Sequence, residues 1–181
     1  MTDDMQRSAA GAVAVARRVD DLTYRSDSTE QTIGLGRVLG ALLREGDVLV
    51  LTGDLGAGKT QFAKGVSRGL GDTGEVTSPT FAIMAVHEEG RIPLFHFDLY
   101  RLEHAYELED TGIFDVLGYE GVCLLEWGEQ FEGELADDFL TVRIDRDPAD
   151  EGARTISLEA HGDRAAHLAS SIDAKLTKGA A

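Results

Sequence analysis

Asparagine is absent from this 181-residue sequence, cysteine and tryptophan each occur once, proline three times, and Lys plus Arg number 17 against 33 Asp plus Glu. Without asparagine there is no Asn-Lys-x-Asp segment of the kind that reads a guanine base. The single cysteine, Cys123 in GVCLLEW, forms no internal disulfide and makes no zinc site. It reads as a small buried apolar residue and fits a reducing cytoplasm. The formal charge of −16 argues against holding nucleic acid by phosphate neutralisation alone, which needs a basic surface. Work on nucleic acid would have to pass through a partner or a local patch. Long apolar runs are also missing. AAGAVAVA, Ala9 to Ala16, follows the acidic start MTDD and runs into Arg17-Arg18. It is a poor signal peptide and too short to cross a bilayer, so a soluble, cytoplasmic protein without a membrane partner is expected.

What is present reads as one domain with a substantial core. LTYRS, Leu22 to Ser26, has the pattern of a short edge strand. SDST then offers caps for a helix over 29–44 with Leu35, Val38, Leu39 and Leu42 on one face, although Gly34, Gly36 and Gly40 weaken it. The turn REGD leads to a strand at 48–52, a glycine loop and a helix over 59–70, closed by Gly71. Strand, turn at Glu88–Arg91 and strand follow, then a helical pattern in EHAYELEDTGIFDVLG and the buried-type strand GVCLLEW. FLTVRID and ARTISLEA form an antiparallel pair joined by the polar loop RDPADEG, and a last helix spans 164–176. Alternating strands and helices predict an α/β fold, with a mixed sheet that is parallel in its centre and carries antiparallel additions. In such sheets ligands gather at the carboxyl ends of the strands. There is no internal repeat and no long linker.

The segment GDLGAGKT, Gly53 to Thr60, matches G-x-x-x-x-G-K-[ST] at every fixed position, with a strand before it and a helix after it. Gly53, Asp54, Leu55, Gly56, Ala57 and Gly58 would cradle phosphate oxygens with backbone N–H groups, and the following helix adds its positive end. Lys59 would reach the β- and γ-phosphates, and the Thr60 hydroxyl would ligate Mg²⁺. Such a loop usually works with a carboxylate at the end of another strand. Two strands end that way: GVCLLE at Glu126, and IPLFHFD at Asp98, where alternation puts Leu94, His96 and Asp98 on one face. His96 itself reads as a hydrogen-bonded sheet histidine. Between the loop's helix and the next strand lies VTSPTF, where Pro79 holds its neighbour extended and Thr77, Ser78 and Thr80 supply hydroxyls. Nucleotide switches often occupy this place, but Ser-Pro-Thr is equally an ordinary turn.

Among nucleotide machines, the missing Asn-Lys-x-Asp argues against a GTPase, and DVLG at Asp115–Gly118 fits D-x-x-G too loosely to restore that reading. A small-molecule kinase usually carries an arginine-rich lid. Arg91, Arg101, Arg143, Arg146 and Arg154 form no cluster in sequence, so a kinase survives only through a lid at RDPADEGAR. A third class is a binding module in which ATP organises an interface and hydrolysis is incidental.

GDLGAGKT, then VTSPTF, FHFDLYRLEHAYELEDTGI and VCLLEW, in this order over about residues 28–145, resembles the TsaE family. That family is the P-loop ATPase component of bacterial tRNA threonylcarbamoyladenosine synthesis. The resemblance implies a P-loop NTPase-like three-layer fold with a seven-stranded mixed sheet, weak ATPase activity alone, and work in a complex with TsaD-like and TsaB-like subunits, so that tRNA is met only indirectly. Carried over by position, Lys59 holds phosphates, Thr60 and Glu126 bind Mg²⁺, and Asp98 helps order the metal or the attacking water. The resemblance also makes Thr77–Thr80 a switch-like loop, matches Trp127 and Glu107-Leu108 to family elements, and sets Ser28 or Thr29 near the adenine. The chain departs with Phe81 where tyrosine is common and with Gln61 where a second threonine is common, next to the phosphate site. The expected organisation is a mobile extension over 1–20, a P-loop ATPase domain over 21–160, and a C-terminal helix and tail over 161–181.

Overall fold

A computed structural model describes residues 14–79 and 82–178. Eight strands form one sheet: β1 (Arg17–Asp20), β2 (Thr23–Ser26), β3 (Val48–Thr52), β4 (Met84–His87), β5 (Leu94–Asp98), β6 (Val122–Glu126), β7 (Phe139–Asp147) and β8 (Asp150–His161). Their order across the sheet is β1-β2-β8-β7-β3-β6-β5-β4. β7, β3, β6 and β5 run parallel, while β4 on one side and β8, β2 and β1 on the other pair antiparallel. Every residue of β3, β5 and β6 is buried, as expected of parallel strands covered on both faces.

Period-two alternation divides the core. Leu49, Leu51, Leu94, Val122 and Leu124 face α1 (Thr29–Gly40), α2 (Lys59–Leu70) and α4 (Asp163–Lys178), with Leu35, Leu39, Phe62, Val66, Leu168 and Ile172 packed on them. Val48, Val50, Phe95, Phe97, Cys123 and Leu125 face the opposite layer, where Leu108, Ile113 and Phe131 pack. That layer consists of 3-10 turns at Ala105–Thr111 and Gly128–Glu134 and the single-turn helix α3 (Ile113–Val116). The mixed α/β architecture read from the sequence is therefore observed, with eight strands where the family resemblance implied seven.

The glycines that weakened the first helix in the sequence explain its packing. A Cβ on Gly36 would collide with the Phe62 carbonyl and one on Gly40 with that of Val66; on α2, Gly65 and Gly69 meet Ile33 and Arg37 in the same way. Bare backbones let α1 and α2 touch, and this sets α2 against the sheet. Ser28 caps α1, its hydroxyl accepting from Gln31 N at 3.3 Å. α4 is anchored by Asp138, whose carboxylate accepts from Arg164 N and Ala165 N at 2.8 Å each, and by the paired contacts of Arg164 with Asp47 at 2.9 and 2.7 Å.

Several local expectations differ. α1 ends at Gly40 instead of 44. The helical pattern after Glu103 breaks into short turns because Gly112, at φ 75°, reverses the chain midway. Residues 17–20, assigned to a mobile extension, form β1, which makes β1 and not β2 the sheet edge. Strands β7 and β8 consume most of the loop RDPADEG, leaving a tight connection. No helix of the described residues is long and apolar enough to cross a membrane.

Candidate functional site

The loop between β3 and α2 turns on three glycines in the left-handed region, Gly53 (φ 137°), Gly56 (72°) and Gly58 (117°). Gly53 is required twice over, since a Cβ there would strike the Ile144 carbonyl oxygen on β7. Ala57 N donates to Asp54 O at 3.0 Å and Phe62 N to Gly58 O at 2.9 Å, so the loop closes on itself and passes directly into α2.

Lys59 and Thr60 open α2 and project toward the carboxyl ends of β5 and β6. Asp98 and Glu126 are Cα partners there, both buried, and Leu51 of β3 is the other neighbour of Glu126. Thr60 Oγ1 donates to Glu126 Oε1 at 3.3 Å. Asp98 accepts from Ser78 Oγ at 2.8 Å and from the Tyr100 backbone at 3.1 Å. Lys59 Nζ donates to the Gly53 and Asp54 carbonyls at 2.6 and 3.1 Å and lies 3.8 Å from the centre of the Trp127 ring. Burial lowers the Lys59 pKa, against the opposing pull of Glu126, Glu129, Asp98 and Asp54. Trp127 carries a left-handed backbone (φ 64°), an unfavourable conformation for a bulky residue, and Tyr100 packs on its ring at 5.0 Å.

These side chains line a cleft of ≈430 Å³ bounded by Leu55, Gly56, Gly58, Lys59, Thr60, Gln61, Ser78, Asp98, Tyr100, Glu126 and Trp127. A second cavity of ≈170 Å³ lies on the other side of the loop and is lined by Ser28, Thr29, Thr32, Gly56, Ala57, Gly58, Gln61, Gly152 and Arg154. The two share Gly56, Gly58 and Gln61, so together they wrap the loop. Of the residues selected from sequence, Thr77 is exposed and lines neither cavity, Asp54 contributes its backbone carbonyl, and Thr80 lies outside the described residues, as does Phe81.

Three features were not legible in the sequence. Arg146 and Arg154, Cα partners across β7 and β8, reach back to the loop: Arg146 Nη2 donates to Leu55 O and Arg154 Nε to Ala57 O, both at 2.7 Å. The segment expected as a possible lid is instead the end of this hairpin. Tyr100 reaches the cleft only because the chain turns at Asp98. His96 is hydrogen-bonded, as expected of a sheet histidine, but its partner is Glu126, with Nε2 2.9 Å from Oε1.

Comparison with known proteins decides the family. Residues 26–156 match the model of TsaE, described as threonylcarbamoyl adenosine biosynthesis protein TsaE. The chain belongs to the TsaE family. It is 43% identical over 143 residues to the tRNA threonylcarbamoyladenosine biosynthesis protein TsaE of Bacillus subtilis, covering 79% of this chain and 88% of the relative. The corresponding protein of Streptomyces coelicolor is 46% identical over 136 residues, covering 72% and 90%. Among solved structures, the crystal structure of Bacillus subtilis YdiB superposes with a TM-score of 0.74 at 34% identity, covering 88% of this chain and 99% of that one. The TsaE match begins at Ser26, two residues before the α1 cap, and ends at Ile156 in β8, so it contains both cavities.

Proposed function

We propose that this TsaE-family chain binds ATP with Mg²⁺ and hydrolyses it in support of the addition of threonylcarbamoyl to adenosine beside the anticodon of tRNA. The observation that carries the proposal is the convergence of Lys59, Thr60, Asp98 and Glu126 on one cleft at the carboxyl edge of the sheet, under a glycine loop at a helix N-terminus. The donor set suits Mg²⁺: a threonine hydroxyl and two carboxylates are hard oxygen ligands.

Thr60 and Glu126 would hold the metal, with Asp98 beside them. Bound there, Mg²⁺ supplies charge neutralisation at the β- and γ-phosphates. Lys59 would exchange the Gly53 and Asp54 carbonyls for phosphate oxygens beside the Trp127 ring. Asp98 or Glu126 orients the attacking water. The smaller cavity, with Ser28, Thr29 and Arg154 in its lining, is the candidate place for the nucleoside. Arg146 and Arg154 are engaged with loop carbonyls and do not supply an arginine finger to the cleft, so slow turnover is expected for the chain alone. The −16 charge suits docking on TsaD-like and TsaB-like subunits in the cytoplasm, with tRNA met through them.

The test is ATP hydrolysis by the purified chain, alone and with a TsaB–TsaD pair. Slow turnover that rises sharply with the pair supports the reading, and a rate indifferent to the pair counts against it. Lys59→Ala should abolish nucleotide binding or turnover; wild-type hydrolysis in that variant would overturn the site. Glu126→Ala separates enzyme from switch: loss of the tRNA modification with retained ATP binding favours essential hydrolysis, and retained modification favours a nucleotide-dependent binding module.

A further inference from the structure

His96 sits in the middle of β5, fully buried, on the face that carries Asp98. Its cross-strand partner is Leu124, so Glu126 is the diagonal neighbour on the same face of β6, within reach of a ring nitrogen. The contact is short, 2.9 Å from Nε2 to Glu126 Oε1, and it lands on the oxygen that also accepts the Thr60 hydroxyl. A polar ring costs free energy among the apolar residues of this layer, where a leucine would pack at no such penalty. Its other nitrogen, Nδ1, is buried and has no hydrogen-bond partner among the described residues, so the polarity of the ring is directed at Glu126 alone. On the far side His87 packs against it, ring centres 6.1 Å apart, and restricts its swing.

We propose that His96 is a positioning residue that holds the Glu126 carboxylate in the orientation from which it and Thr60 bind Mg²⁺. This inference rests on the ATP–Mg²⁺ reading above. A carboxylate that binds a metal only accepts hydrogen bonds, so in that arrangement Nε2 is the donor. The imidazole N–H, held rigidly in the middle of a buried strand, fixes which way the carboxylate faces. Partners that orient metal ligands in this way are worth about 10- to 100-fold in metal affinity or activity.

The experiment titrates Mg²⁺ against binding of a fluorescent ATP analogue, with analogue binding in EDTA and thermal melting as parallel readouts. In His96→Leu the Mg²⁺ concentration at half-effect should rise about 10- to 100-fold, while binding in EDTA stays at the wild-type level. His96→Gln, whose amide nitrogen falls near the imidazole Nε2, should return close to wild type. His96→Asn, one methylene shorter, should not. If His96→Leu fails to fold, the Gln and Asn pair carries the test, and equal Mg²⁺ dependence in the two overturns the proposal. A folded His96→Leu with wild-type Mg²⁺ dependence overturns it as well. A wild-type chain without Mg²⁺-dependent ATP binding overturns the underlying reading, and the positioning role falls with it.

Discussion

Cys123 and Lys59 are both buried and titratable, and their surroundings act on them differently. Cys123 lies in β6 on the face opposite the cleft, and burial pushes its thiol from 9.0 up to about 12. The folded state therefore favours the neutral thiol. This contribution is intact below pH 9 and is lost as pH rises from there toward about 12, because the unfolded chain ionises first. At pH 10.5 it should cost the wild type on the order of 2 kcal/mol relative to pH 8. Urea unfolding at both pH values checks this, and Cys123→Ala should show a smaller drop. The native thiol should also resist thiol reagents that label it fully after unfolding. Lys59 is shifted down by burial, with four carboxylates pulling against the shift.

The contact between α1 and α2 governs where Lys59 and Thr60 stand. Gly36→Ala or Gly65→Ala introduces a methyl group into a backbone-to-backbone contact and should destabilise by about 1–3 kcal/mol. Gly133, with open space at its Cβ position, provides the control, and Gly133→Ala should leave the urea midpoint nearly unchanged. The β7–β8 hairpin has a separate task, since its arginines donate to the Leu55 and Ala57 carbonyls of the loop. Arg154→Met keeps the apolar stem and removes the donors. A hydrogen bond from a charged group contributes about 1.5–3 kcal/mol, so nucleotide affinity should fall roughly tenfold or more, measured by equilibrium binding. The helical pattern of EHAYELEDTGIFDVLG was misleading at this scale: Leu108 and Ile113 are buried, but Gly112 interrupts the backbone between two short turns.

Across the whole molecule, 33 carboxylates face 17 Lys and Arg, and many of the ion pairs that form are surface contacts, such as Arg18 with Asp21. Surface pairs contribute little, whereas a net charge of −16 opposes compaction. Added salt should therefore raise the melting temperature, since at about 0.5 M the screening length drops well below 10 Å. A melting temperature that falls with salt would mean that specific pairs, Arg164 with Asp47 or Arg25 with Asp147, outweigh the general repulsion.

Local sequence was sufficient wherever the physics is local. The G-x-x-x-x-G-K-[ST] spacing demands positive-φ glycines and a helix start, and the alternation in LFHFD and VCLLE determines which side chains share a face. The strand ends that carry Asp98 and Glu126 were legible for the same reason. Tertiary structure alone decided that those two strands are neighbours in register, that His96 bonds to Glu126, and that two arginines almost a hundred residues downstream of the loop's leucine and alanine return to its carbonyls. It also decided that Gly36 and Gly40 of α1 meet the backbone of α2. Strand order and helix contact depend on which distant surfaces bury one another, and no spacing within a single segment encodes that choice.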